Sequence, residues 1–216
     1  MCIRDRVHYR ASKAAREIFE IAAGQKPRSV PVQFMLAVNY ILEDRRPEGI
    51  AVLKKILELD PDFEPAYRAL GECYDEAKDA EALVKLGEQL VARSPGSATG
   101  FYLKGLGLLW MAIESRAPLD PAIDALRTAA QLDPVFAENH FALAKAYQWE
   151  QQHGQAIAEL EQTIRLNPQH DRAHFLLATL YRRAGNQQRA DEELKLHNAI
   201  KSKPRALQML VAARER

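Results

Sequence analysis

The sequence predicts an all-α solenoid of about five stacked helix pairs, with an N-terminal half-repeat helix before them and a C-terminal capping helix after them. Three observations carry this. Pro27, Pro61 and Pro95 recur at steps of 34 residues, and Pro134 and Pro168 repeat the step. Within each period, apolar residues fall three and four apart in two separate runs, the spacing of two amphipathic helices. A small residue also recurs at one slot of every leading helix: Ala37, Gly71, Gly105, Ala144 and Ala178. Units of this kind cannot bury their apolar faces alone and do so by stacking.

The plainest unit runs from Glu64 to Ser97. Its leading helix sets Tyr67, Leu70, Gly71 and Tyr74 on one face, and its trailing helix sets Leu83, Leu86 and Leu90 on one. Before it, a helix from about His8 to Ala23 stops near Gly24, and a first full unit covers 30–59 with Pro47 in the first turn of its second helix. The third unit starts near Ala98 with a long leading helix to about Glu114. Pro95 and Pro134 stand 39 apart, so an insertion of about five residues falls at Ser115 to Leu119, as a surface loop or a lip on a groove. Asp120 is expected to cap the following helix, with Pro121 in its first turn. A fourth unit covers 137–166 and a fifth 171–200, with Gly154 and Gly185 at their inter-helix turns. Residues 202–216 are expected to cap the array, with Leu207, Leu210 and Val211 inward.

Leu70-Gly71, Tyr74, the small residue opening the second helix (Ala156, Ala190) and the closing Asp-Pro or Asn-Pro resemble the tetratricopeptide repeat family, in a bacterial or metagenomic form. The likeness covers roughly residues 11–201. It implies a right-handed superhelix whose concave side, lined by leading helices, takes a peptide or a helix. Lys104 stands where the family usually has Leu, and Gly87 where it has a large apolar residue. The family's clamp for a C-terminal carboxylate needs Lys, Asn and Arg on successive leading helices. The Asn slot here reads Val38, Glu72, Leu106, Lys145 and Thr179, so that mode is not implied.

Composition excludes several classes. A net charge of +1 over 216 residues argues against a nucleic-acid binder, whose affinity rests on phosphate contacts. No apolar run approaches the roughly 18 residues of a membrane span. Two cysteines make no disulfide framework, and Cys73 reads as a buried filler. His170 and His174 have a zinc-like spacing, but His174 shares its slot with His140, Tyr67 and Phe101, which marks a packing position. No catalytic, metal or cofactor site is expected. Met1–Arg6 resembles translated sequencing-adapter read-through, so residues 1–7 are read as a non-native or disordered leader and 8–201 as the solenoid. The natural chain is expected to extend upstream, in a soluble cytoplasmic or periplasmic protein.

Counting from each proline gives the inner stripe. Seven residues on stand Phe34, Arg68, Tyr102, Phe141 and Phe175. Eleven on, Leu106 and Lys145 join the set; fifteen on come Leu42, Glu76, Trp110, Trp149 and Arg183, with Arg182 beside them. Rings at solvated slots suit recognition, because they bury large areas at modest entropic cost. The candidate partner-binding residues are therefore Phe34, Arg68, Tyr102, Leu106, Trp110, Phe141, Lys145, Trp149, Phe175 and Arg182; the alternative is that the rings only pack leading helices together. The expected function is a non-catalytic scaffold holding a protein or peptide partner. A portion of a larger enzyme or secretion component, or a homo-oligomerising module, are the alternatives.

Overall fold

In a computed structural model, residues 15–202 are described. They form eleven α-helices and no strand. Helix α1 covers 15–25. The rest pair in order: α2 (Val30–Leu42) with α3 (Arg46–Leu59), α4 (Glu64–Ala77) with α5 (Ala80–Arg93), α6 (Ala98–Ser115) with α7 (Asp120–Leu132), α8 (Ala137–Trp149) with α9 (His153–Leu166), and α10 (Asp171–Arg183) with α11 (Gln187–Lys201). The fold is thus the all-α superhelical repeat that the proline period predicts. The expected leader and the expected cap lie outside the described residues, apart from Ser202, which follows α11.

The core is one continuous ribbon of buried leucine and alanine, including Leu53, Leu70, Leu83, Leu103, Leu126, Leu143, Leu160 and Leu177. A second tie repeats with it. The slot six residues after the proline returns a polar atom to that proline's carbonyl: Tyr67 Oη donates to Pro61 O at 3.0 Å, and His140 Nε2 and His174 Nε2 stand 3.1 Å from the carbonyls of Pro134 and Pro168. This joins α4, α8 and α10 to the turn before them, gives His140 and His174 a packing role, and is missing in α6, where the slot holds Phe101.

Each of the five hairpins turns on one residue of left-handed backbone: Asp44, Lys78, Arg116, Gln151 and Gly185, with φ between 56° and 78°. Two turn expectations need correcting. Gly154 lies in the first turn of α9, and Gln151 takes the left-handed position. Asp120 is the first residue of α7, whose N-cap is Leu119 with no side-chain hydrogen bond. Leu119 is an apolar anchor, 5% exposed, so burial of this residue sets the start of α7.

The hairpins are not alike. Twenty-two residues after the proline, the trailing helices carry Gly49, Ala156 and Ala190, and with the insertion counted Ala122. The α4–α5 hairpin carries Leu83, fully buried. Its extra carbons keep α5 from closing on α4 as the other pairs close, and α5 packs instead more extensively on α6. Glycines permit this approach. A Cβ on Gly87 would stand 2.3 Å from the Lys104 backbone nitrogen, and one on Gly107 would stand 2.7 Å from the Ala80 carbonyl oxygen. Gly87 and Lys104, the two departures from the family pattern, therefore face one another across one seam. Lys104 sends its ammonium outward to Glu88, 3.3 Å away. On α4, the Cβ position of Gly71 is taken by Leu103 of α6, whereas that of Gly105 is met by Leu126 of its own partner α7.

Candidate interaction surface

Consecutive leading helices touch (α4 with α6, α6 with α8), while consecutive trailing helices stand further apart, so the leading helices form the inner curve. The seven-on residues sit at the joints between them. Phe34 meets Phe63 edge-on at 5.3 Å, Tyr102 meets Phe136 at 5.1 Å, and Phe141 meets His170 at 4.5 Å. In each case the partner is the N-cap residue of the next leading helix. Arg68 makes the same link in hydrogen bonds. Its Nε donates to Thr99 Oγ1 at 3.0 Å, and Thr99 and Ser97, the N-cap of α6, both donate to Glu64. These slots stitch repeat to repeat before they can meet a partner. The partner residues share a register of their own, two after each proline: Phe63, Ser97, Phe136 and His170.

Cations cover the rings. The Arg68 guanidinium lies 4.7 Å over Phe136 and that of Arg172 lies 4.9 Å over Phe141. Trp110 is the most heavily held. Its Nε1 donates to Asp75 Oδ1 at 2.6 Å, the Lys145 ammonium sits 4.1 Å from the ring centroid and that of Lys78 5.7 Å. Desolvation lowers the Lys145 pKa to about 8, against the nearby Asp75 carboxylate, which raises it. Among the described residues, none of Arg68, Lys78, Lys145 and Arg172 forms an ion pair. Beside them lies a cavity of about 280 Å³ walled by Tyr102 and Phe136, where Arg68 and Arg172 stand among four carboxylates, Glu72, Asp75, Glu76 and Glu138. Burial raises the Tyr102 phenol well above its ordinary value. A second hollow of about 470 Å³ lies beside Phe34, Val38 and Arg68.

The expected site residues thus separate by exposure. Leu106 and Phe141 are buried, at 3% and 6% exposure. Phe34, Arg68 and Tyr102 are half-buried and line the two hollows, Trp110 and Lys145 are half-buried against one another, and Arg182 is exposed. Trp149 and Phe175 stand most open of the apolar rings, at 57% and 52%. The sequence reading passes over Asp75, Lys78 and Arg172, which hold or cover the rings; the signal available is their place one turn from a ring on the same or the neighbouring leading helix.

Cys73 is buried, and its thiol is pushed up to about 11, first by desolvation and then by Glu72 and Glu76. Among the described residues, no three His, Cys, Asp or Glu side chains gather to hold a metal, and no helix is long and apolar enough to cross a membrane.

Comparison with known proteins agrees with this architecture. Residues 150–213 match the model of the tetratricopeptide repeat. No curated protein matches the chain. Among solved structures, TTC0263, a thermophilic TPR protein in Thermus thermophilus, is 19% identical, with 85% of this chain and 96% of that one covered and a TM-score of 0.69. A chain of the APC/C hetero-tetramer Cut9-Hcn1 is 17% identical over 94% of this chain and 40% of its own, with a TM-score of 0.72. YrrB, described as a TPR protein with an unusual peptide-binding site, is 20% identical over 93% and 100%, with a TM-score of 0.50. Residues 150–213 thus match the tetratricopeptide repeat, and the same helix pairs continue in phase through the described residues, so the chain has the fold of these tetratricopeptide-repeat structures.

Proposed function

We propose that the protein is a non-catalytic interaction scaffold whose inner curve takes a peptide or helix carrying both apolar and acidic residues. The observation behind this is the row of cations laid on rings, Arg68 on Phe136, Lys145 on Trp110 and Arg172 on Phe141, with no carboxylate among the described residues in an ion pair with any of the three. A visiting carboxylate can reach a cation that its ring already orients, while an apolar side chain lies on the open Trp149 ring or against the Tyr102 and Phe136 wall of the 280 Å³ hollow, away from its four carboxylates. YrrB, with the same fold, is described as having a peptide-binding site, which supports the class of ligand rather than its sequence.

The test is selection from a random peptide library. Wild-type protein is expected to enrich acidic-apolar peptides, and a Trp110→Ala, Trp149→Ala double variant to bind them about 30-fold or more weaker, the loss of a hot spot of roughly 2 kcal/mol. Arg172→Glu is expected to erase the acidic preference while leaving the apolar one. Equal binding of the same peptides by wild type and double variant refutes the groove.

A further inference from the structure

The opened α4–α5 hairpin leaves a second cavity, away from the inner curve. It holds about 380 Å³ between α3, α4 and α5, within the roughly 300–1,000 Å³ of small-ligand sites. Its floor is Leu57, Leu70 and Leu86, with exposures of 9%, 1% and 7%, and half-buried Tyr74 forms one wall. The mouth carries Lys54 and Lys85, one from each flanking trailing helix. Neither lysine forms an ion pair among the described residues, and the acidic group at the rim is Glu58 alone. An apolar cleft under two ammonium groups suits a ligand with an alkyl body and an anionic head. The alkyl chain removes leucine surface from water, and the head remains at the mouth, where its charge keeps most of its hydration.

The cavity has a cause in this unit alone. Leu83 stands where the other hairpins carry Gly or Ala, and the glycine seam of Gly87 and Gly107 lets α5 move onto α6. The gap between α4 and α5 is thus built into the packing and does not depend on a loose segment. From the floor, the mouth and this built gap, we infer that the α3–α4–α5 cavity is a binding site for a medium-chain alkyl carboxylate.

The inference is independent of the inner-curve proposal, and its test uses no peptide. Dodecanoate, below its micelle concentration, is titrated into the full chain by calorimetry, with dodecyltrimethylammonium as the cationic control. Dodecanoate is expected to bind saturably at one site and the cation about tenfold or more weaker. Ala82→Trp fills the cavity and is expected to abolish uptake, with helix content checked by circular dichroism. Should that variant fail to fold, Lys54→Glu with Lys85→Glu changes only exposed mouth residues and is expected to reverse the preference between the two amphiphiles. Absence of dodecanoate binding overturns the assignment. Uptake unchanged in Ala82→Trp also overturns it, placing the alkyl chain elsewhere, as does equal binding of both amphiphiles with the lysines intact.

Discussion

The α4–α5 and α8–α9 hairpins occupy the same place in the repeat and solve it differently. In α8–α9 the small pair Ala144 and Ala156 is fully buried, and the helices close on one another. In α4–α5 the corresponding pair is Gly71 and Leu83: the large residue holds the helices apart, and α6 fills the space over Gly71 with Leu103. One slot, small or large, decides whether a helix belongs to its own hairpin or to the next. The most informative change is therefore Leu83→Ala. As a core leucine it is expected to lose about 2–5 kcal/mol, toward the lower end if α5 swings back onto α4. Urea unfolding measures the loss. A cost at the top of that range, near ~5 kcal/mol, would mean that the site does not collapse and that Leu83 is not what holds the two helices apart.

The opposite side of α5 gives the next largest effect. Gly87→Ala sets a methyl group 2.3 Å from a backbone nitrogen and 2.7 Å from the Gly100 carbonyl oxygen. Neither can step aside as a side-chain tip can, so α5 and α6 must separate. Overpacking of this kind costs about 1–3 kcal/mol, read as a lower unfolding midpoint. Gly154→Ala, in α9 with open space around the added carbon, is the control and is expected to hold or raise stability. Equal effects at the two glycines would remove the seam from the explanation of the opened hairpin.

How much of this is legible in the sequence follows from the same residues. The proline step sets the helix bounds, because each proline sits in the turn between one unit and the next. The slot of small residues on the leading helices is visible too. Leu83 is visible as an apolar residue of a trailing helix. Its meaning as an exception requires the register of the other four hairpins, with the insertion before α7 subtracted. On the inner curve, the sequence locates a row of rings but cannot show what faces each one. A ring seven residues after a proline looks solvated on its own helix, and the residue covering it comes from the N-cap of the next helix, about 30 positions away, as with Phe34 and Phe63. Trp149 and Phe175 remain open at 57% and 52%.

A pH experiment separates the same two hairpins by a smaller amount. The slot six after the proline is Tyr67 before α5 and His140 before α9. His140 lies between two acceptors, Glu159 Oε2 at 2.7 Å and the Pro134 carbonyl at 3.1 Å, and only the protonated ring can donate to both. The hydrogen bond to Glu159 raises its pKa first of all, with Arg165 and desolvation opposing. A raised folded pKa means that the stabilisation is fully present below the unfolded value of about 6.5 and is lost as pH climbs through the folded value. Wild type is expected to exceed His140→Gln in unfolding free energy by more at about pH 5.5 than at about pH 8.5. Tyr67→Phe should show no such change across that window, since its phenol is raised further from an ordinary value near 10. A flat difference for His140→Gln would show that its two contacts are not both made by a charged ring.

The smallest expected effect lies in the turns, where one hairpin has glycine and four do not. Gly185 takes the left-handed conformation without steric cost, whereas Gln151, at φ 58°, holds a Cβ against the following carbonyl. That strain is roughly 1–2 kcal/mol, and the greater freedom of glycine in the unfolded chain returns part of it. Gln151→Gly is therefore expected to stabilise by about 0.5–1 kcal/mol, and Gly185→Ala to destabilise by a similar amount. Gln151 is exposed, and its side chain has no role in the surface assigned above, so the backbone term stands alone. Lys78→Gly tests the same conformation at the α4–α5 turn but also removes the ammonium that faces Trp110 at 5.7 Å. If Lys78→Gly stabilises less than Gln151→Gly, the shortfall measures that cation–ring contact. If the two gains are equal, Lys78 contributes nothing to holding the indole, and Asp75 and Lys145 alone fix Trp110.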